Sequence, residues 1–368
     1  MKNRENRNGF HVKAGPPKNE AIAELLAIEA ESAKHYVARA FRRASRRAFL
    51  WPEEAAELVA SGRSLTDLQS VGPYLAKVIA GWLAKPPEVP APPELRQGFL
   101  TFAQAEQVLA TKPALRRDLC GDLQMHTTWS DGEGSVQEMA EAADERGYEY
   151  IAITDHAKGL KIAGGIDEAQ LRRQAHEIAG MNAALGAGGR KLRVLRSIEL
   201  NLNPQGEGDM ESAALAKLDL VLGCFHSSLR KKEDQTARYL AALRNPDIQI
   251  LGHPKGRIYN FRLGLNADWP RVFGLAAKLD KAVEIDCYQD RQDLKLDLVR
   301  LAKQAGCRIS LGTDSHGPSQ LRFIDFGLAS AALAGVKRER ILNFMSREEL
   351  LHWAASVREK QAVRVRGK

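Results

Sequence analysis

The chemically capable residues of this 368-residue chain are concentrated in a few short motifs. Five of its nine histidines stand at the ends of apolar runs, together with three carboxylates and one glutamine. The members of this set are Gln124, His126, Asp131, His156, Glu199, His226, His253, Asp314 and His316. Three carboxylates in one crevice repel one another unless cations neutralise them, and neutral imidazoles complete the coordination of such cations. The set therefore predicts a metal centre.

The size of the set indicates more than one ion. One ion does not take eight or nine ligands, so we expect two or three divalent ions, close enough for a carboxylate to bridge them. Mixed His and carboxylate ligands suit zinc, manganese or iron(II), and the sequence leaves the choice between them open. Ions in such a cluster lower the pKa of bound water and so supply a hydroxide nucleophile at neutral pH. We predict catalytic roles for Glu199, Asp314 and His316, with proton transfer assisted by Asp314 or His316.

Basic residues accompany the same motifs. The candidates to hold a substrate phosphate are Lys158, Lys255, Arg257 and Arg291. Over the whole chain, 54 Lys and Arg stand against 46 Asp and Glu, which gives a net charge of +8. This excess is compatible with a polyanionic partner but does not identify one.

The candidate ligands lie in seven short runs rich in Val, Ile and Leu. Amphipathic stretches with helical spacing separate one run from the next. The runs are DLQMHT, YEYIAITDH, LRVLRSIELN, LDLVLGCFHS, IQILGHP, KAVEIDCY and CRISLGTDSH. Strand–helix alternation of this kind predicts an α/β fold with parallel strands, as an open sheet or a barrel. The polar residues end each run, and the carboxyl ends of parallel strands are where such folds build active sites.

A different pattern precedes these runs. Residues 19–84 have apolar residues at helical spacing, and the Gly72-Pro73 turn predicts a helix-hairpin-helix over residues 64–83. Five prolines between residues 85 and 98 favour an extended spacer. We predict a polar tail over 1–18, a small all-α domain over 19–84, a linker with a short helix over 85–119, a phosphoesterase domain over 120–357, and a basic tail over 358–368.

Taken in order, GDLQMHTTWSDGEGS, AITDH, SIELN, CFHSS, GHPKGR, EIDCY and GTDSH resemble the motifs of the PHP (polymerase and histidinol phosphatase) superfamily of metal-dependent phosphoesterases. Two features resemble the C-terminal PHP domain of bacterial family X DNA polymerases: Gln124 in the first motif, and the string from Glu284 to Leu294. The resemblance implies a distorted (βα)7, TIM-like barrel. It also implies a 3′-5′ DNA exonuclease or repair nuclease.

The resemblance also implies which residues share each ion. His126, Glu199 and Asp314 would hold the first ion, with Gln124 in place of a histidine. Glu199 would bridge to a second ion on His226 and His253. The third ion would take Asp131, His156 and His316. Because an amide oxygen is a weaker donor than an imidazole, we expect the first site to be labile or to take a different metal.

The N-terminal helices are similar to the DNA-binding domain that opens the same polymerases. The family has glycine at positions 70 and 72, whereas this chain has Ser70 and Gly72. Backbone amides of that turn would approach a DNA phosphate. The predicted DNA-binding residues are Arg42, Arg43, Arg46, Arg47, Gly72 and Lys77. No polymerase palm fits into residues 85–119, so polymerase activity is not expected.

Three functions are open on this sequence. The favoured one is a nuclease acting on single-stranded DNA or 3′ ends. The alternatives are a phosphomonoesterase on a phosphorylated small molecule, of the histidinol phosphatase kind, and a non-catalytic DNA-binding scaffold. Four widely spaced cysteines and the lack of an apolar run of about 18 residues predict a cytoplasmic protein without membrane contact.

Overall fold

The computed structural model describes residues 15–366, and the side chains of residues 15–361. Parts of the two predicted tails, residues 1–14 and 367–368, lie outside the described residues. Two compact units make up the chain. The first runs through Pro92 and also takes in Thr101–Ala103. The second comprises Pro93–Leu100 and the chain from Gln104 onward.

The first unit is helical. Its helices are α1 (Asn19–Ser32), α2 (His35–Ala48), α3 (Ala55–Ala60) and α4 (Pro73–Ala84). The apolar positions that the periodicity marks form its core, where Ile22, Phe41 and Trp51 are at most 2% exposed. The Ser45 hydroxyl donates to Ala23 O (2.8 Å) and ties α2 to α1.

The predicted hairpin differs from expectation in its first half. Instead of a helix, only a three-residue 3₁₀ turn, Leu65–Asp67, precedes the Gly-Pro turn. Ser70 has a φ of 67°, a left-handed conformation that no helix can include, so the chain turns there. Gly72 is then the N-cap residue of α4, and Pro73 is its first helical residue. Proline is tolerated there because the backbone N–H of the first helical residue has no partner within the helix.

In the second unit, strands alternate with helices. After α5 (Phe102–Ala110) and α6 (Ala114–Arg117), the elements follow in this order: β1 (Gly121–Met125), α7 (Val136–Glu145), β2 (Tyr150–Ile153), α8 (Glu168–Ala187), β3 (Arg193–Arg196), β4 (Glu199–Asn201), α9 (Ser212–Leu215), β5 (Leu222–Cys224), α10 (Thr236–Arg244), β6 (Ile250–Leu251), α11 (Trp269–Lys278), β7 (Ala282–Asp286), α12 (Leu296–Gln304), β8 (Arg308–Gly312), α13 (Ile324–Ala334) and α14 (Arg347–Arg366). The last helix continues past the predicted domain end at 357.

All strand pairs are parallel, which confirms the predicted α/β class. The strands form two sheets, with orders β1-β2-β3 and β4-β5-β6-β7-β8. The seven predicted runs become eight strands because the third run divides at Ser197 and Ile198: β3 pairs with β2, and β4 pairs with β5.

Two isolated parallel bridges connect the sheets. His156, which follows β2, bridges to Glu199 in β4, and Met125 in β1 bridges to Ser315, which follows β8. The two sheets and these bridges are consistent with the predicted (βα)7 barrel. Leu123, Tyr150 and Leu222 belong to one buried apolar cluster. Among residues 15–366, no helix has the length and apolar character needed to cross a membrane.

Candidate metal centre

The carboxyl ends of the strands bring the predicted set together. Every strand-end histidine of the set lies beside at least one carboxylate of the set, and four groups of three potential ligands have their ligand atoms within 4.8 Å of one another. Three of these groups consist only of predicted residues: His126, His156 and His316; His156, Glu199 and His226; and His126, Glu199 and Asp314. The parallel strands thus place His126 and Asp314, which are 188 positions apart in sequence, at one site.

Glu199, at the start of β4, is the centre of the cluster. Its Oε1 lies 2.7 Å from His226 Nε2 and 2.8 Å from His253 Nε2. Its Oε2 lies 3.2 Å from His126 Nε2. Burial alone would raise the pKa of Glu199, but the imidazoles of His156 and His226 lower it well below its ordinary value. Both carboxylate oxygens thus face ligand-type ring nitrogens, so Glu199 would be available to the ions that these histidines would hold.

Asp314 and Arg291 form a buried ion pair at the edge of the cluster. Asp314 Oδ1 is 2.8 Å from His126 Nε2, and its Oδ2 is 2.7 Å from Arg291 Nη1. Burial would raise the pKa of Asp314, but Arg291 and His126 outweigh it and hold that pKa below its ordinary range. Arg291, predicted to hold phosphate, therefore lies at the site, with 31% of its side chain exposed.

The third group of predicted ligands lies on the solvent side of the cluster. Asp131 Oδ1 is 3.5 Å from His316 Nε2 and 3.6 Å from His156 Nε2. The rings of His126 and His156 stack with centroids 4.3 Å apart. Burial lowers the pKa of His156 to about 3, so its imidazole is neutral and able to ligate.

A buried aspartate positions the loop that connects these ligands. Asp155 accepts hydrogen bonds from Thr127 N (2.8 Å), from Gln174 Nε2 (2.6 Å) and from the Ser130 hydroxyl (2.5 Å). Gly132 lets the loop return, because a Cβ there would lie 2.6 Å from the His126 carbonyl carbon. Asp155 precedes His156 in AITDH, and its role was not predicted.

Gln124 faces the cluster through its amide. Its Nε2 donates to Glu199 Oε2 (3.1 Å), while its Oε1 is buried without a hydrogen-bond partner. Gln124 thus lies in the site, and its amide nitrogen contacts the central carboxylate.

Two further buried carboxylates lie beneath the predicted set and were missed. Glu284 and Asp286 are at alternate positions of β7 and are both fully buried. Glu284 Oε2 accepts from His253 N (2.7 Å), and burial raises the pKa of Glu284 to about 8. Asp286 Oδ2 is 3.7 Å from Arg291 Nη1. The signal was available in EIDCY, since positions two apart on a strand point to the same face.

The backbone is strained at two of the ligand positions. His253 has a φ of 22° and Asp314 a φ of 52°, and neither residue is glycine. Conformations of this kind persist only where the surroundings impose them, and they cluster at functional sites. His253 and Asp314 each lie two residues after a strand, β6 and β8, as expected for a site at the strand ends.

Two of the predicted phosphate contacts have to be corrected. Arg257 is buried, and its Nη2 donates to the carbonyls of Gln97 (3.0 Å) and Gly98 (3.2 Å). Lys255 Nζ donates to Leu265 O (3.2 Å). Both side chains hold loops together. Lys158 is exposed and pairs with Glu168 (2.7 Å), and its contact with phosphate stays a prediction. Arg291 contacts the cluster through Asp314.

The predicted DNA-binding residues lie in the first unit. Arg42, Arg43 and Arg46 are exposed on α2, Lys77 is exposed on α4, and Arg47 is half-buried. The two helices meet where the rings of Phe41 and Tyr74 make an edge contact (6.2 Å between centroids). The arginines and the turn at Gly72 are thus on neighbouring helices.

The donor set fits divalent metal ions. Several buried polar atoms of the cluster have no hydrogen-bond partner among the described residues, including His126 Nδ1, His156 Nδ1 and Gln124 Oε1. Buried carboxylates also outnumber buried cations there: burial raises the pKa of Glu284, and the nearby carboxylates of Glu199 and Asp314 raise it further. Cations coordinated by imidazole and carboxylate groups would give the partnerless atoms a partner and would neutralise the buried carboxylates.

Comparison with known proteins gives concordant matches. A family model described as "PHP domain" matches residues 122–293. The DNA polymerase/3′-5′ exonuclease PolX of Bacillus subtilis (strain 168) is 33% identical over 263 residues, which cover 70% of this chain and 45% of that protein. The chain therefore spans less than half of that relative's length.

Two further proteins match the chain. A "probable phosphatase" of Photobacterium profundum is 30% identical over 210 residues, which cover 53% of this chain and 77% of that protein. The solved histidinol phosphate phosphatase of Lactococcus lactis, in complex with zinc, L-histidinol and phosphate, is 17% identical, with a TM-score of 0.39; 66% of this chain and 94% of that chain are covered. That TM-score is too low to support an inference about the site.

Proposed function

The chain belongs to the PHP domain family, and from this premise we propose that it is a metal-dependent phosphoesterase with the activity of a 3′-5′ DNA exonuclease. The observation that carries the phosphoesterase part of the proposal is the position of Glu199. Its two carboxylate oxygens lie within 3.2 Å of the ring nitrogens of three histidines from three different strand ends.

The chain's residues have distinct roles in this proposal. Divalent ions held by the cluster would supply Lewis acidity and would lower the pKa of water to about 7. Glu199 and Asp314 orient the ligand histidines. The Nδ1 of His316 is engaged with Asp314 O (2.8 Å), so its partly exposed ring offers Nε2, which either ligates an ion or, where that ion is not bound, assists proton transfer. The free guanidinium nitrogens of Arg291 bind a phosphate oxygen of the substrate.

Two observations support DNA as the substrate. The relative with 33% identity is named as a DNA polymerase and 3′-5′ exonuclease. In addition, the exposed arginines of α2 form a basic surface of the kind that binds a phosphate backbone. The four cysteines are unpaired, which supports the proposed cytoplasmic setting.

A second candidate is a phosphomonoesterase acting on a phosphorylated small molecule. Its support is the relative named as a "probable phosphatase", of which the chain covers 77% at 30% identity. The non-catalytic scaffold is less well supported, because eight ligand-type residues besides Gln124 converge on one site.

Two parallel assays, each with one candidate substrate, test the proposal. The purified protein is incubated with Mn²⁺ and either 3′-recessed DNA or histidinol phosphate. We expect nucleotide release from the DNA. Turnover of histidinol phosphate without nucleotide release would refute the nuclease and would favour the phosphomonoesterase.

Two variants identify the source of the activity. His126→Ala and Asp314→Ala remove ligands and should abolish nucleotide release. His176→Ala is the matched control, because His176 is exposed on α8 and contacts only the carbonyl of Arg172 among the described contacts. Activity that persists in both ligand variants would come from a contaminant, and the scaffold would then be favoured.

A further inference from the structure

The loop after His253 holds an aromatic side chain out in solvent. Its ends meet where Leu265 N donates to Lys255 O (2.8 Å). Within it, Ile258 and Arg262 form a narrow antiparallel pair, and Phe261 lies at the tip with 52% of its surface exposed. The backbone on both sides of Phe261 is hydrogen-bonded, so the ring is presented from a fixed loop.

A basic side chain from a second ligand-bearing loop covers part of this ring. The guanidinium carbon of Arg230, in the loop after His226, lies 4.4 Å from the centroid of the Phe261 ring. Arg230 Nη1 also donates to Phe261 O (3.3 Å). The two next residues, Lys231 and Lys232, are exposed cations. An aromatic ring and a stacked guanidinium therefore lie together, and two exposed lysines directly follow that arginine in the chain.

The position of Arg230 in the chain places this group near the metal centre. Arg230 follows His226 by four residues, so their Cα atoms are at most about 14 Å apart. The ring lies beyond that Cα atom, by the length of the Arg230 side chain and the 4.4 Å between the guanidinium carbon and the ring centroid. A strand that starts at the cluster therefore reaches the ring after several nucleotides, because each nucleotide spans about 3.4 Å.

We propose that Phe261 and Arg230 form a stacking platform for a base of a single DNA strand whose 3′ end lies in the metal centre, with Lys231 and Lys232 on the neighbouring phosphates. This inference rests on the proposed nuclease function. Stacking of bases on aromatic rings and arginine, beside a cationic track, is the usual way to hold single strands without sequence preference. A small phosphate ester in the cluster has no base that reaches the platform.

Steady-state kinetics of the holoenzyme on two substrates test the platform. The substrates are a single-stranded oligonucleotide and bis(p-nitrophenyl) phosphate, a phosphodiester without bases. Phe261→Leu keeps an apolar side chain and removes the ring, whereas Phe261→Trp keeps an aromatic ring. We expect Phe261→Leu to raise KM for the oligonucleotide about tenfold, which is the loss of ~1.4 kcal/mol of stacking. Its hydrolysis of the small diester should not change.

A fluorescence measurement reports on stacking directly. An oligonucleotide with nuclease-resistant phosphorothioate linkages carries 2-aminopurine, whose fluorescence falls when its ring stacks. We expect quenching with the wild type and with Phe261→Trp, and a weaker effect with Phe261→Leu. Leu333→Ala is the control, because Leu333 is another exposed apolar residue (41%) and belongs to α13.

Each remaining outcome overturns the inference in an identifiable way. An unchanged oligonucleotide KM in Phe261→Leu would refute the platform and leave the nuclease function standing. An equal loss on both substrates would show that Phe261 only supports the fold of its loop. Failure of the wild type to degrade any oligonucleotide, with turnover of the small diester, would refute the nuclease function and the platform with it.

Discussion

The ion pair between Arg291 and Asp314 allows a quantitative test of the metal centre. We expect Arg291→Gln to destabilise the metal-free protein and to be tolerated better once metal is bound. Arg291 Nη1 lies 2.7 Å from Asp314 Oδ2 and 3.7 Å from Asp286 Oδ2, and both carboxylates are at most 1% exposed. The substitution leaves both of them without their cation.

The expected loss follows from the burial of the pair. Removing one partner of a buried ion pair costs about 3–5 kcal/mol. Because 31% of the Arg291 side chain is exposed, we expect the lower end, about 3 kcal/mol. A divalent ion beside Asp314 would compensate the same carboxylate, so the metal-loaded variant should lose at least ~1 kcal/mol less.

Urea unfolding with EDTA and with excess Mn²⁺ measures both quantities. Fluorescence of Trp129, Trp269 and Trp353 reports on the second unit. Arg308→Gln is the matched control: its pair with Asp280 has the same 2.7 Å separation, but the aspartate is 31% exposed and stays solvated when the arginine is removed, so we expect a loss of at most about 1 kcal/mol, independent of metal. An Arg291→Gln loss that is equal with and without Mn²⁺ would refute a metal site at Asp314.

Three further predictions concern other parts of the chain. Glu199→Gln should lower the bound metal measured by elemental analysis and reduce phosphoesterase activity by at least about 100-fold, since Glu199 contacts three ligand histidines; unchanged metal content would contradict its bridging role. Ser70→Gly should stabilise the first unit by about 1 kcal/mol in urea unfolding, because glycine adopts the φ of 67° without strain. It should also tighten DNA binding, and a loss of stability would show that the left-handed turn is not strained. Lys281 is fully buried, and burial lowers its pKa to about 7. Between about pH 7 and 10, Lys281 is therefore protonated in the unfolded chain and neutral in the folded chain. The free energy of unfolding should then rise with pH in the wild type. Its slope should exceed that of Lys281→Met by up to about 1.4 kcal/mol per pH unit. Equal pH slopes for the two proteins would mean that Lys281 stays charged when folded.

The candidate metal centre could be located from the sequence because its polar residues stand at the ends of the predicted strands. In a fold of parallel strands, the carboxyl ends of all strands lie on the same side, so residues at those ends lie near one another. Glu199 and Asp314 could therefore be placed together without knowledge of strand order. The division of the third run into β3 and β4 was not predictable in this way, because it depends on pairing with two different neighbours.

Side-chain direction was the harder quantity to predict. Lys255 and Arg257 follow His253 directly and have the right charge for a phosphate, yet they donate to carbonyls of nearby loops. Their orientation depends on segments that are close only in the folded chain, such as residues 97 and 98. Glu284 was missed for a related reason. A carboxylate inside a strand is a candidate site residue only if its side chain is buried near the site, and the sequence does not show the full burial of Glu284.

The metal centre by itself does not distinguish a nuclease from a phosphomonoesterase. Both reactions need cations to neutralise a phosphate and a residue to handle a proton, and the cluster around Glu199 provides for either. A polynucleotide differs from a small ester in what extends beyond the scissile phosphate. Discrimination must therefore arise in groups outside the cluster, and the groups that we propose for it are the loops that carry Arg230 and Phe261 and the exposed arginines of α2. We expect substitutions in those groups to affect the two substrates differently, and substitutions of the ligands to abolish both reactions alike.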